Sequence, residues 1–575
     1  MELFYVKEPN HNIRLEIGEA SFFLHDMESP WMQCEEILSQ LRERLDGIEH
    51  VLFYGVGIGY LVKLFTDYFP NIKITIYEPI ERIYHLFNEM QNHFQINRKM
   101  IMKQYAGNTT QQVIQNLKDF EPYISDKILI VRLPSYQFLE NSYQQFWQLF
   151  SQIQKEKLTN DSVLQRYSKL WIRNRLKLEQ EIGQSLQFIE TYKPYIKDKP
   201  VLLVAAGPSL NYELDNLKKI KKEKSAYIFA VGSANKTLVK HDIWPDAIFS
   251  YDPQQHNQFV ISDKIKESMN IPLVYGTTVG YETVLNYKGD KFYFVTQRDK
   301  LTSYLYNRTF PLIQDASTIS NITLQILALL EPAHIILVGV NFALHNRHFY
   351  AEGISRLKYN EGKNVEVGAL AFEHELERSF VVKAVDNSEV FTTQQFEFMR
   401  KEMEGYIHTL PIKKITNTTF KGAKIQGADY CSLATIIEQE LYEKDIVQKP
   451  VRKTSLNRYV SNKEFAHQVL VMEKQMIEFS KIVKENRRFQ SVGNSEVILK
   501  KIQHYFHAFI TNCITKSVLL PTLELEQKEL LKEMQFIYDK IITPIEKVEQ
   551  LCQVYDRFLN HCFEICELVK NEVKF

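Results

Sequence analysis

Short hydrophobic runs recur along the N-terminal half of the chain, each ending at a turn and followed by a helical pattern. His50–Tyr54 reads as a buried strand, Gly55-Val56-Gly57-Ile58-Gly59 as a turn, Tyr60–Tyr68 as a helix and residues 73–77 as a second strand running into Glu78-Pro79. Residues 127–133 give a third strand. An acidic residue about 20 positions beyond the glycines completes a strand–turn–helix–strand unit, which predicts a small Rossmann-like α/β domain over residues 1–160. A charged helical stretch at 160–192 leads onward. Strands are then predicted at 201–205, Tyr227–Val231, 247–251, 273–275, 292–295 and 335–340, with helical patterns between most of them and loop-rich segments to about residue 430. Strands alternating with helices imply a mainly parallel, doubly wound sheet covered on both faces. This central domain is assigned to 161–445.

From 446 to 575 the period changes. Phe465, Val469, Met472, Met476, Phe479 and Val483 step by four and three, which is one apolar stripe on a helix. Ser461 with Glu464, and Thr543 with Glu546, fit capping boxes, and Pro544 occupies a first helical position where its missing N–H costs nothing. The segment reads as an α-helical bundle. Cys552, Cys562 and Cys566 fall on the stripe of Ile545, Val548, Tyr555 and Leu559, so they read as buried small hydrophobes, not as metal ligands.

Composition narrows the function. Hydrophobic residues make up 45% of the 575 residues, enough for several cores. Lys+Arg and Asp+Glu both number 70, so no global attraction to nucleic acid or membrane is expected. The N-terminus lacks a signal-peptide pattern, and no apolar run approaches the ~20 residues needed to span a bilayer. A cytoplasmic protein is expected, with homo-oligomer formation left open.

Candidate chemistry gathers at the predicted strand ends of the central domain, where ligands bind in open α/β sheets. The first strand runs into Gly207-Pro208-Ser209-Leu210, whose helix-start N–H groups and hydroxyl offer a cradle for phosphate; a tight turn capped by Ser209 is the plainer reading. Asn235, after the next strand, offers an amide that both donates and accepts, and Asp252 sits on the same rim. Ser317, Thr318 and Ser320 form a hydroxyl cluster before an apolar helix at 322–330. The strand at 335–340 delivers Asn341, His345 and His348, and a histidine there has a pKa suited to taking a proton from an acceptor hydroxyl. No Asp-x-Asp nominates a divalent-ion site.

Four segments occur in order: Gly-Pro-Ser-Leu, Ile243-Trp244-Pro245-Asp246 to Asp252-Pro253, Gly339 to His348, and Asn417-Thr418-Thr419-Phe420-Lys421-Gly422-Ala423-Lys424-Ile425-Gln426-Gly427. Together they resemble the motility-associated factor (Maf) glycosyltransferases, whose catalytic domain is related in fold to bacterial sialyltransferases. The likeness spans about residues 200–430, with a looser match in the three-part layout. It implies transfer of a nonulosonic acid, of the pseudaminic or legionaminic type, from a CMP-activated donor to Ser or Thr hydroxyls of flagellin, with no separate cofactor. It further implies that Gly207, Pro208, Ser209, Ser317, Thr318 and Ser320 face the CMP phosphate or ribose, that Asn235, Asp252 and Asn341 line the nucleotide site, and that His348 is the base, with His345 second. The family usually has Gly-Gln-Asp-Leu where this chain has Gly339-Val340-Asn341-Phe342, and Thr-Glu-Gly-Gly where it has Thr419-Phe420-Lys421-Gly422.

Three rival readings differ in chemistry. The Gly-Pro-Ser-Leu domain also resembles archaeal pterin diphosphokinases, which would transfer diphosphate from ATP. Gly55–Gly59 with Glu78 resembles an S-adenosylmethionine site, against a scaffold that keeps the glycines for packing. A flagellin-binding accessory factor without catalysis is the third.

Overall fold

The computed structural model describes residues 2–354, 356–360, 363–367, 376–441, 447, 458–487, 495–539 and 543–573. The chain forms two compact units: one of Met1–Arg166, Glu478–Phe506 and Glu524–His561, the other of Tyr167–Ile477, His507–Leu523 and Cys562–Phe575.

The first unit opens with an antiparallel meander of β1 (Glu2–Val6), β2 (Asn12–Ile17) and β3 (Ala20–Phe23), which carries no long apolar run. Four parallel strands follow, β4 (His50–Tyr54), β5 (Lys73–Glu78), β6 (Ile101–Ala106) and β7 (Ile128–Arg132), in the order β6-β5-β4-β7. Alternation along β4 is visible in its packing. Val51 and Phe53 enter one core, whereas Leu52 and Tyr54 enter the other on the opposite face of the sheet. Burial on both faces explains why β4 reads as an uninterrupted hydrophobic run. The edge strand β6, Ile-Met-Lys-Gln-Tyr-Ala, is mostly half-buried and escapes a hydrophobicity reading for that reason.

In the second unit the charged stretch at 160–192 resolves into the end of the helix Glu140–Lys177, the helices Glu179–Gln184 and Phe188–Ile196, and a short strand β8 (Leu186–Gln187). The central strands are β9 (Pro200–Val204), β10 (Tyr227–Val231), β11 (Ala247–Ser250), β12 (Leu273–Gly276), β13 (Lys291–Thr296), β14 (Leu312–Ile313) and β15 (His334–Val338). The segment expected to be loop-rich contains more structure. It holds the hairpins β16 (Arg356–Asn360) with β17 (Lys363–Val367) and β18 (Phe380–Lys383) with β19 (Glu389–Thr392), the helix Gln394–Thr409, and β20 (Ile415–Asn417) and β21 (Asp429–Tyr430). These strands are too short or too polar to announce themselves by pattern. The last two complete a doubly wound parallel sheet, β14-β13-β12-β11-β10-β9-β15-β20-β21, with β8 paired to β13.

The chain leaves β9 toward β10 and later returns to β15 on the other side of β9. That reversal is a topological switch point at the carboxyl ends of β9 and β15, the position at which open α/β sheets bind ligands. The C-terminal part is helical as expected: Asn462–Asn486, Ser495–Thr511, Glu524–Asp539 and Pro544–Val573. Phe465, Val469, Met472, Met476, Phe479 and Val483 are all buried. Thr543 and Glu546 exchange the reciprocal hydrogen bonds of a capping box. Cys552, Cys562 and Cys566 are buried, and burial pushes the Cys552 thiol up to about 12. Among the described residues no helix is long and apolar enough to cross a membrane.

Candidate functional site

The switch point is built by two chain crossings held together by one side chain. After β9, Gly207 donates its N–H to the Gly339 carbonyl, 2.9 Å away. Pro208–Tyr212 then form a short 3-10 turn, not the α-helix start expected there, and the α-helix begins only at Leu214. Ser209 is 1% exposed and donates both its N–H (3.2 Å) and its hydroxyl (2.8 Å) to Asn341 Oδ1. Because a backbone N–H can only donate, this contact fixes the amide orientation and leaves Asn341 Nδ2 as the remaining group. That Nδ2 is buried and has no acceptor among the described residues. Asn417, at the end of the adjacent β20, repeats the pattern. Its Oδ1 accepts from the Thr419 N–H at 2.9 Å, and its Nδ2 is buried without an acceptor. Two buried amide donors at neighbouring strand ends suit an oxygen-rich, anionic ligand, since leaving them unpaired costs ~1–3 kcal/mol each.

Close approach explains Gly207. A Cβ added there would lie 2.3 Å from Asn341 Oδ1 and 2.4 Å from the Gly339 carbonyl oxygen. We expect Gly207→Ala to destabilise the second unit by about 1–3 kcal/mol through overpacking. Urea unfolding of the full chain would show this as a lower midpoint at unchanged slope, and an unchanged midpoint would mean that the crossing can yield.

The two histidines come together. Asn346 and Arg347 have φ of 48° and 64°, and His345 and His348 exchange backbone hydrogen bonds of 2.9 and 3.2 Å across them. This is a two-residue hairpin of the I′ kind, and it places both imidazoles on one face as a cross-strand pair. His348 Nδ1 lies 2.8 Å from the Asn346 carbonyl oxygen, which can only accept. Nδ1 therefore carries the proton, and Nε2 keeps the lone pair that a base needs. His345 Nε2 is 2.8 Å from the Tyr212 hydroxyl, joining the hairpin to the 3-10 turn after β9. Partial burial, then Lys421, then His348 lower the His345 pKa from its ordinary value.

Other expected residues are placed on the rim but engaged elsewhere. Asn235 is 1% exposed; its amide donates to the Gly232 and Val260 carbonyls (2.6 and 3.0 Å) and accepts from the Ser262 N–H (2.8 Å). It clamps the loop after β11 to the end of β10. Asp252 accepts from the Gln254 N–H at 2.9 Å and so caps its own loop. The helix expected at 322–330 begins at Ile319, which puts Ser320 inside it. Thr318 caps that helix by accepting from the Asn321 N–H at 3.0 Å. The anion at this helix start is a protein carboxylate: Glu402 accepts from the Ser317 N–H and hydroxyl (2.9 and 2.5 Å) and from Asn321 Nδ2 (2.6 Å). The helix Gln394–Thr409, which carries Glu402, has no counterpart in the sequence reading. Tyr212 and Asn417 also went unassigned there. A 3-10 turn presents a different face from the expected α-helix, and nothing in the spacing distinguishes the two.

In the first unit the glycine loop is paired internally. Glu78 accepts from the Val56 N–H (2.9 Å), the Tyr136 hydroxyl (2.7 Å) and the Ile80 N–H (3.1 Å), while Tyr136 accepts from the Gly57 N–H (3.1 Å) and His25 Nε2 from the Ile58 N–H (3.2 Å). A Cβ on Gly57 would sit 2.2 Å from His25 Nε2. The amides that would face a nucleotide face side chains instead.

A doubly wound α/β unit with a donor-lined switch point is thus the class the geometry defines. Across 100% of its length the chain has the fold of the MAf glycosyltransferase from Magnetospirillum magneticum AMB-1, with a TM-score of 0.60 at 12% identity over 93% of that protein. The family described as 6-hydroxymethylpterin diphosphokinase MptE-like matches residues 174–347. An uncharacterized protein of Treponema pallidum (strain Nichols) is 22% identical over 231 residues, 38% of this chain and 74% of that one. A second uncharacterized protein of that strain is 27% identical over 154 residues, 26% of this chain and 67% of the other.

Proposed function

We propose that this chain is a glycosyltransferase that moves a nonulosonic acid from a CMP-activated donor to Ser or Thr hydroxyls of flagellin in the cytoplasm. The observation that carries the reading is the pair of buried amide donors, Asn341 Nδ2 and Asn417 Nδ2, at the β9–β15 switch point and the next strand. A sugar leaving as CMP develops negative charge on phosphate oxygen, and fixed donors shielded from water stabilise that charge. An amide at position 341 supplies a donor where a carboxylate would supply only acceptors. His348 takes the proton of the acceptor hydroxyl through Nε2, and His345, held by Tyr212, is its neighbour on the same face. Gly207 and Pro208 act through the chain crossing that holds Asn341 in place. Asn235, Asp252, Ser317, Thr318 and Ser320 shape the rim through the internal contacts described.

The match of residues 174–347 to a pterin diphosphokinase family favours a second reading, in which the same switch point binds ATP. Calorimetric titration of the full chain with CMP, ATP and S-adenosylmethionine separates them. CMP is expected to bind, and Asn341→Leu to weaken it at least about tenfold, the value of a hydrogen bond to a charged group. Heat with ATP and none with CMP would transfer the assignment to the diphosphokinase. Co-expression with flagellin followed by intact-mass measurement tests the acceptor; unmodified flagellin that still co-purifies would point to an accessory factor.

A further inference from the structure

Beside the histidine hairpin, the rim of the second unit carries large aromatic rings that stay in water. Tyr212, after β9, is 55% exposed; Phe420, after β20, is 40% exposed; and Tyr430, at the end of β21, is 39% exposed. Phe420 is held firmly. The Gly422 N–H donates to the Thr419 carbonyl at 3.1 Å, closing a β-turn whose central residues are Phe420 and Lys421, the latter at φ 57°. The turn is tied down at both ends, by the Thr418 N–H on the Leu337 carbonyl and the Ala423 N–H on the Asn341 carbonyl, each at 2.9 Å. Turn positions ordinarily go to Gly, Pro, Asn or Asp, so the turn itself does not account for an exposed phenylalanine.

Ring contacts join these loops to the hairpin. Tyr212 meets Phe420 edge to face, with centroids 6.2 Å apart and planes at 88°, and meets the His345 ring at 5.8 Å and 78°. Tyr430 is the register partner of Asn417. Partial burial, then Glu213, Cys431 and Asp386, raise its pKa, so its hydroxyl lies among the same loops. The charged groups there are already engaged. Lys421 donates to Asp386 at 2.9 Å and lies 5.3 Å from the Phe420 ring centre, and Glu213 accepts from Asn216 Nδ2 at 2.7 Å.

Shape and position decide what fits such a rim. A nucleobase stacks flat on a ring face. A perpendicular pair presents a corner instead, which suits a rounded apolar side chain. A base must come within hydrogen-bond reach of the proton it takes, so the residue carrying the acceptor hydroxyl passes His348. Its neighbours in an extended chain follow at ~3.3 Å per residue, onto the rings that adjoin His345.

We propose that Tyr212, Phe420 and Tyr430 form the acceptor side of the site. They hold the polypeptide segment that carries the acceptor hydroxyl, and they select for an uncharged, apolar side chain close to it in sequence. This assignment rests on the transfer to flagellin proposed above, and it leaves the nucleotide to the donors of Asn341 and Asn417.

Separate titrations of the full chain with purified flagellin and with CMP test it. Phe420→Ala and Tyr430→Ala are each expected to weaken flagellin binding about tenfold, the cost of truncating an aromatic anchor, and to leave CMP affinity unchanged. Phe420→Trp keeps a ring at the turn and should recover most of the flagellin affinity, which a merely disturbed turn would not do. Flagellin affinity unchanged by both alanine variants would overturn the inference and leave the transferase reading in place. CMP affinity that falls in the same variants would overturn it too, because the rings would then belong to the nucleobase. An unaltered chain that binds no flagellin would remove the acceptor itself, and both readings with it.

Discussion

His348→Ala is expected to lower sugar transfer to flagellin by ~100-fold to ~10,000-fold, the range general-base catalysis supplies, while CMP affinity changes little. Tautomer separates the two histidines. The Asn346 carbonyl, 2.8 Å from Nδ1, fixes the proton on that nitrogen and leaves Nε2 free to accept. His345 cannot be assigned a fixed tautomer in the same way, because its Nε2 partner, the Tyr212 hydroxyl, both donates and accepts. His345→Ala should therefore cost less, and Tyr212→Phe should act only through the placement of the hairpin. Single-turnover transfer by the full chain, measured across pH, checks this. A His348→Ala protein that transfers at the normal rate would remove His348 as the base. Equal losses for the two histidines would mean that the pair acts as a unit.

How much of this was legible in the sequence depended on what the residues answer to. Strands buried on both faces, such as Pro200–Val204 and His334–Val338, are continuous apolar runs and announce themselves. So does the stripe from Phe465 to Val483, because a helix period survives any tertiary arrangement. The edge elements do not. β20 and β21, of three and two residues, are set by pairing: β20 with the distant β15, and β21 with β20. The site divides along the same line. Gly207, Ser209 and Asn341 were nominated from strand ends, and they meet where the topology reverses. Their contact with each other, which leaves one donor unpaired, depends on the turn type after β9. Ser317 is expected to face the phosphate or ribose of CMP; the acceptor it meets is Glu402, on a helix 85 residues away in sequence. A helix start asks for negative charge and does not specify its source. The glycines at 55–59 show the same ambiguity: they allow close approach, and the approaching groups are Tyr136 and His25.

Acidification should unfold the first unit well before carboxylate protonation alone would account for it. His25 and His50 are buried, and burial holds both down to about 3 from an ordinary 6.5; Lys73 and Lys532 add to the shift at His50. Groups whose folded pKa is depressed stabilise the fold above their unfolded value and lose that contribution as pH falls toward the folded one. Glu78 acts in the opposite sense. Burial raises it to about 7 from 4.5, against the three donors that face it, so its share of stability is lost as pH rises from 4.5 to 7. From pH 7 to 6.5 only Glu78 titrates differently, and stability rises slightly on acidification. Between 6.5 and 4.5 the unfolded chain takes up two protons on the histidines while the folded chain takes up one on Glu78, a net loss of ~1.4 kcal/mol per pH unit. Below 4.5 the Glu78 offset is gone and the loss doubles to ~2.7 kcal/mol per unit until about pH 3. Hydrogen exchange in the peptides covering residues 50–78, corrected for intrinsic rates, would read this as protection that declines gently to pH 4.5 and then steeply. His25→Gln keeps an acceptor for the Ile58 N–H and removes the titration, so it should halve the slope below pH 4.5. A slope unchanged by that substitution would show that the first unit opens without exposing His25, and that its glycine loop is not sealed by the contacts described.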